Sequence, residues 1–167
     1  MKKFAGTFML LLLSALAGCG KSPADEFKQY LTVDLPTLLK EEQKWVGINY
    51  PEYAERGQIT AEEAKVKMAE QISLCKVEIG KIEALGYKTS PTKELVKNLS
   101  NQVELGCSRR QDLLDMVTLN DPIQTDRLSK HIEEIDAAQK QLLDQYEEIL
   151  KENCPKFECT SYLKIVK

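Results

Sequence analysis

Five cysteines and a single histidine are the residues of this chain best equipped for chemistry, and their spacing decides which chemistry is open. Cys154 and Cys159 form a Cys-x4-Cys pair, longer than the tight pairs of zinc ribbons, while Cys75 and Cys107 stand alone on helical segments. Zinc is therefore not expected, and neither Cys-x-x-Cys for thiol redox work nor Cys-x-x-Cys-His for covalent haem occurs. His131 stands one position before an apolar stripe residue and reads as a surface or boundary residue. One histidine cannot supply the two Glu-x-x-His motifs of a di-iron bundle, and it disadvantages the serine, cysteine and zinc hydrolases that use histidine as a base. A non-covalent haem would have to use His131 with Met68 or Met116, which are simpler as gap-filling core. Gly-x-Ser-x-Gly, a phosphate-cradling glycine loop and His-Glu-x-x-His are all missing. The acidic pairs Glu41-Glu42, Glu62-Glu63, Glu133-Glu134 and Glu147-Glu148 flank lysines and read as solvated faces. The expectation is a protein without catalysis, metal or cofactor.

Cys19 has a different setting. Met1-Lys2-Lys3 precedes an apolar run from Phe4 to Ala17, which closes as Leu16-Ala17-Gly18-Cys19. A basic start, a short apolar stretch and small residues before a cut describe a secretory signal, too short to span a bilayer comfortably. The four closing residues resemble the lipobox of bacterial lipoproteins. That resemblance implies cleavage after Gly18, thioether lipidation of Cys19 and a membrane partner reached through the lipid, at about 0.8 kcal/mol per buried methylene. It also implies an extracytoplasmic location, and Gly20 is compatible with the outer membrane where a cell has two. In overall plan the remainder is similar to small helical lipoproteins without assigned activity, a likeness that carries no site residues.

Removing 18 of 167 residues leaves 149, the size of one domain. The division expected is residues 1–18 as signal peptide, 19–21 as lipidated N-terminus, 22–153 as helical domain and 154–167 as disulfide loop and tail. Taking Lys2 and Lys3 from the 23 basic side chains leaves 21 against 26 acidic ones, which disfavours nucleic acid as a partner. In an exported chain the four remaining cysteines predict two disulfides, Cys75 with Cys107 and Cys154 with Cys159. The first pairing shows an axial mismatch of about 9 Å if one helix ends near Leu85 and the next begins at Pro91. The third helix must then begin later or sit offset along its neighbour.

Apolar residues recur three and four apart in four stretches. The first runs from Phe27 to Val46, opens on Ser22-Pro23 and should kink near Val33 to Leu35 because of Pro36. The second carries Ala64, Met68, Ile72, Cys75, Ile79 and Ile82 behind a Thr60/Glu63 capping box and ends at Gly86. The third runs from Val96 to Val117, with Arg110 interrupting its stripe, and the fourth from Leu128 to Ile149 behind Asn120-Asp121-Pro122. These predict an all-α, up-down-up-down four-helix bundle with a kinked first helix and a short disulfide-closed C-terminal tail.

Two functions fit this plan. The first is a non-catalytic binding or scaffolding module for another envelope protein; the second is a small-ligand-binding protein with a pocket between helices. Tracing the helices outward from the lipid puts the 47–59 connection and the 119–122 turn at the far end. Tyr50, Tyr53, Arg56, Asn120 and Asp121 are accordingly the candidate partner-binding residues, since tyrosine and arginine are enriched among residues that dominate interfaces. The discriminating feature is the core: a closed apolar seam favours the first function, and a cavity of several hundred Å³ with convergent polar groups the second.

Overall fold

The computed structural model describes residues 21–42, 49–119 and 121–159. Residues 1–20, with Cys19 and the stretch expected as a signal peptide, and Trp45, Val46, Asn120 and everything beyond Cys159 lie outside the described residues. Within them all regular structure is helical and no strand occurs.

Helix α1 (Pro23–Gln29), a π-helical turn (Tyr30–Asp34) and α2 (Leu35–Glu42) follow one another directly. Ser22 Oγ accepts the Asp25 N–H at 3.2 Å, and Asp25 reaches back to the Ser22 N–H at 3.4 Å, so two orphan donors are satisfied behind Pro23. The disturbance expected from Pro36 takes the form of the π turn, in which the Leu35 N–H bonds to the Tyr30 carbonyl. One widened turn ahead of the proline gives its ring room against the preceding carbonyls.

A single turn, α3 (Tyr50–Glu55), lies in the long connection and ends at Gly57 with φ +69°. Helix α4 (Ala61–Glu83) starts on the expected capping box: Glu63 N–H donates to Thr60 Oγ1 at 3.1 Å, and Thr60 N–H donates to Glu63 Oε2 at 2.8 Å. Its exit passes Gly86, whose φ of +63° is the left-handed conformation that glycine accepts without strain. Helices α5 (Ser90–Leu119) and α6 (Pro122–Asn153) complete the fold, the latter capped by Asp121, whose Oδ1 accepts the Ile123 N–H at 2.9 Å.

Helix α5 is central: α4 packs on one side of it and α6 on the other. Asn98 Nδ2 donates to the Leu142 carbonyl, Gln139 Nε2 to the Gln102 carbonyl and Arg109 Nε to Asp136, so rising numbers on α5 meet falling numbers on α6 and the two run antiparallel. Cys75 and Cys107 are joined, with Cα atoms 5.8 Å apart. Cys107 lies about 25 Å along α5 from Ser90, but Cys75 only about 12 Å from the end of α4 at Glu83. The third helix therefore does not begin late; it is offset along its neighbour, and residues 84–89 take up the difference.

The main core gathers at one end. Phe27, Tyr30, Leu31 and Leu35 pack with Ile82, Leu95, Leu99, Tyr146, Leu150, Cys154 and Cys159, all buried, and Phe157 covers Phe27 at 5.2 Å between ring centroids. Glu26 fastens the first helix to the start of α5: its Oε2 accepts from Thr89 N–H at 3.0 Å, Thr89 Oγ1 at 2.8 Å and Lys88 N–H at 3.2 Å. Ala64, Met68, Ile72 and Ile135 are buried outside this cluster, toward the other end.

Candidate functional site

Where α2 ends at Glu42 the core gives way to a cleft of about 980 Å³ among α2, α3, α4, α5 and α6. Leu39, Pro51, Met68, Leu99, Val103 and Leu113 form its apolar surface, and Glu42, Asn49, Glu52, Glu55, Gln71, Gln102, Arg109, Arg110 and Gln139 bring polar heads to it. The helical period explains the grouping on α5, because Gln102, Gly106 and Arg110 are each four residues apart and share one face.

Gly106 makes that face usable. Arg110 Nη1 folds back to donate to the Gly106 carbonyl at 2.9 Å, while Gln139 Nε2 reaches across from α6 to the Gln102 carbonyl at 3.1 Å. A Cβ at position 106 would lie 3.2 Å from Arg110 Nη1 and 3.5 Å from Gln139 Nε2. The bare backbone lets Arg110 lie a few tenths of an ångström closer to the helix than a side chain at this position would allow. Arg109, one position along, is held through Nε by Asp136 at 2.9 Å.

Electrostatics at the cleft edge are governed by burial. Burial pulls the Arg110 guanidinium below its ordinary range, with Glu42 opposing the shift and Arg109 adding to it. Burial likewise pushes the Glu42 carboxyl up, against the attraction of Arg110 and with help from the charge of Glu78. The Glu78 side chain is only 4% exposed; Lys81 approaches its Oε2 at 3.4 Å, and its Oε1 has no hydrogen-bond partner among the described residues.

The arrangement offers carboxylate, amide and guanidinium groups to whatever occupies it. No serine, threonine, cysteine or histidine is among the described residues lining it. A second, more open groove of about 810 Å³ lies along the far part of the α5–α6 hairpin and contains His131. There His131 Nδ1 sits 2.6 Å from Oδ2 of the buried Asp112. The sole histidine is thus a half-exposed ring oriented by a carboxylate, and its groove also offers no hydroxyl or thiol among the described lining residues. No three His, Cys, Asp or Glu side chains among the described residues are grouped as a metal site requires. No described helix is long and apolar enough to cross a membrane.

The residues expected to bind a partner are tied mainly within their own elements. Tyr50 and Tyr53 meet edge to face at 6.3 Å, Lys67 lies over the Tyr50 ring at 5.7 Å, and Arg56 pairs with Glu52. Tyr53 is exposed and Tyr50 partly covered, while Asp121 serves as the cap of α6. Cys154 and Cys159, expected as a disulfide, are present as two fully buried thiols with sulfurs 2.6 Å apart. The cleft residues Glu42, Gln71, Gln102, Arg109 and Gln139 were not legible as a group; the one signal was Arg110 breaking an apolar stripe. Its guanidinium is attracted to Glu42 and also donates through Nη1 to the Gly106 carbonyl of its own helix beside the cleft.

No protein-family model matches the chain, and no curated protein or solved structure matches it either.

Proposed function

We propose that this protein is a lipid-anchored extracytoplasmic four-helix bundle, up-down-up-down in topology, that binds a small amphipathic ligand without transforming it. The observation that carries the reading is the cleft of about 980 Å³ in which Arg109, Arg110, Gln102 and Gln139 converge above Met68, Leu99 and Val103. Its volume is in the range of small-molecule sites, and its mixed lining suits a ligand with both apolar and polar groups. A ligand would lay its apolar body on the methionine and aliphatic surface and turn polar groups to the guanidinium and amide rim. The anchor rests on Leu16-Ala17-Gly18-Cys19, and the first helix carries the bundle away from it.

Native mass spectrometry of the chain released from envelope membranes tests the ligand. The expected result is a bound small molecule whose occupancy falls roughly tenfold in Gly106→Val, since the added side chain crowds Arg110 and fills cleft space beside Gln139. Equal occupancy in a normally folded Gly106→Val protein overturns the assignment of the site. The anchor is tested separately by detergent partitioning of Cys19→Ser, which should lose membrane attachment or normal processing.

A docking role for another envelope protein keeps one specific support. Ile123 is 80% exposed beside exposed Leu119 and Val117 at the α5–α6 turn, more apolar surface than a helix end needs. Crosslinking in intact cells from position 123 should recover one stoichiometric partner if that reading holds.

A further inference from the structure

The chain leaves α6 through a turn whose left-handed position is held by a residue other than glycine. Cys159 N–H donates to the Cys154 carbonyl at 3.0 Å, and Glu158 between them has φ +55°, the one non-glycine residue with positive φ among those described. This is the six-to-one bond and left-handed residue of a Schellman turn, a motif that brings the side chains at its first and last positions together. The same chain makes the turn a second time at the end of α3, where Gln58 N–H donates to the Tyr53 carbonyl at 2.9 Å and the left-handed place is taken by Gly57. At α3 the motif uses the residue suited to it, and its end positions are Tyr53 and Gln58. At α6 it tolerates a glutamate in the strained position, and its end positions are both cysteine.

From this geometry we infer that Cys154 and Cys159 are a disulfide-forming pair written into the terminating turn of α6, and that oxidation closes the cap over the core covalently. The turn places both sulfurs in contact, and both residues have no exposed surface. Phe157, carried between them, covers Phe27 of the first helix, so the bond would lock the turn that holds Phe157 in this position.

The chemistry balances with a small disulfide such as oxidised glutathione. One cysteine thiolate attacks a glutathione sulfur, the glutathione S–S bond breaks, and one glutathione thiolate leaves. The second cysteine thiolate then attacks the mixed disulfide, forming Cys154–Cys159 and releasing the other glutathione thiolate. The protein pair loses two electrons and two protons, and the oxidant gains them. Burial pushes the Cys154 thiol up and removes it from solvent, so exchange takes place before Phe157 docks or during opening of this turn.

Trypsin supplies the test, because Lys156 and Lys164 put the two cysteines on different fragments. The full chain isolated from the cell envelope is treated with oxidised glutathione, denatured, alkylated with iodoacetamide without reductant and digested. The expected product joins residues 152–156 to 157–164 and separates only after reduction. Separate, alkylated fragments from chains in which Cys75–Cys107 is bonded would overturn the inference, as would any crosslink from Cys154 or Cys159 to Cys75 or Cys107. Glu158→Gly checks the turn itself: relief of the left-handed strain should make the bond roughly two- to fivefold harder to reduce with dithiothreitol in the folded chain. Easier reduction in that variant also counts against the turn as the device that closes the pair.

Discussion

The two ends of this molecule use the same helices and reach opposite results. At the end where α1 begins, the first helix, α5 and α6 enclose Phe27, Tyr30, Leu95 and Leu150 with at most 3% exposure each, and the α6 turn closes the bottom. Beyond Glu42 the same α5 and α6 continue, but they carry Arg109, Arg110, Gln139 and the Asp112–His131 pair toward open grooves. The difference teaches that helical spacing decides which residues share a face, and that one pair of helices can enclose apolar side chains along one part of its length and present polar ones along another.

Truncation of the closed end should produce the largest effect. Phe27→Ala removes a ring with no exposed surface, wedged against Phe157, and should cost about 3–5 kcal/mol. Met68→Ala is nearly as buried yet borders the cleft, where neighbours can relax into open space, and should cost about 2 kcal/mol. Urea denaturation of both variants compares the ends directly. Equal losses would mean that the cleft wall is as tightly packed as the core.

The crosslink between Cys75 and Cys107 sits at the border of the two regions, the Cys75 sulfur 3.4 Å from the carbonyl of Val103, which belongs to the core and also lines the cleft. Replacing both cysteines with alanine frees a loop with sequence separation 32 and should cost about 3–4 kcal/mol by the loop-entropy estimate. Hydrogen exchange should then rise more on α4 than on α6, because α4 has the crosslink as its covalent tie to α5. Uniform loosening would instead make the two ends a single cooperative unit.

A smaller effect distinguishes how the closed end handles polarity. Tyr30 and Tyr146 share a hydroxyl contact of 3.1 Å inside the core, and burial pushes both phenols above their ordinary range. Tyr146→Phe leaves the Tyr30 hydroxyl buried alone and should cost about 1–3 kcal/mol. The double variant with Tyr30→Phe removes both groups and should recover most of that loss. Thermal unfolding of the two single variants and the double variant measures the coupling.

Much of the helical scaffold was legible because its signals are local. Thr60 and Glu63 mark a helix start by their chemistry alone, as Ser22 and Asp25 do, and the seam from Ala64 to Ile82 follows from period 3.6. The π turn was half legible: Pro36 announced a disturbance, but whether a helix kinks or widens depends on the room around its carbonyls. The cleft was not legible, since it depends on Glu42, Gln71, Gly106 and Gln139 meeting from four helices. Gly106 carries no signal of its own inside a helix, and its place in the cleft appears only when Arg110 and Gln139 are seen beside it. His131 was placed correctly at a boundary, yet its partner Asp112 belongs to another helix and no local pattern joins them.

The smallest effect expected is also the one in which the two ends should move in opposite directions. Glu26 at the closed end has its carboxyl held below the usual range, first by the Thr89 N–H and then by the Thr89 hydroxyl. A lowered folded value means that its stabilisation is present above the unfolded carboxylate value and is lost as pH falls through the folded one. Glu42 at the cleft has its carboxyl raised, first by burial, so its protonated form is favoured by folding. Its contribution is therefore present below the unfolded value and is lost as pH rises through the folded one. Glu26→Gln should lower stability at neutral pH and flatten the acid limb. Glu42→Gln should raise stability at neutral pH and change little in acid. Urea midpoints between pH 3 and pH 8, a range that spans the ordinary carboxylate values near 4, measure both. A loss of neutral stability in Glu42→Gln would mean that attraction to Arg110 outweighs the cost of burying the carboxylate, and the cleft edge would then be an ion pair instead of a site strained by desolvation.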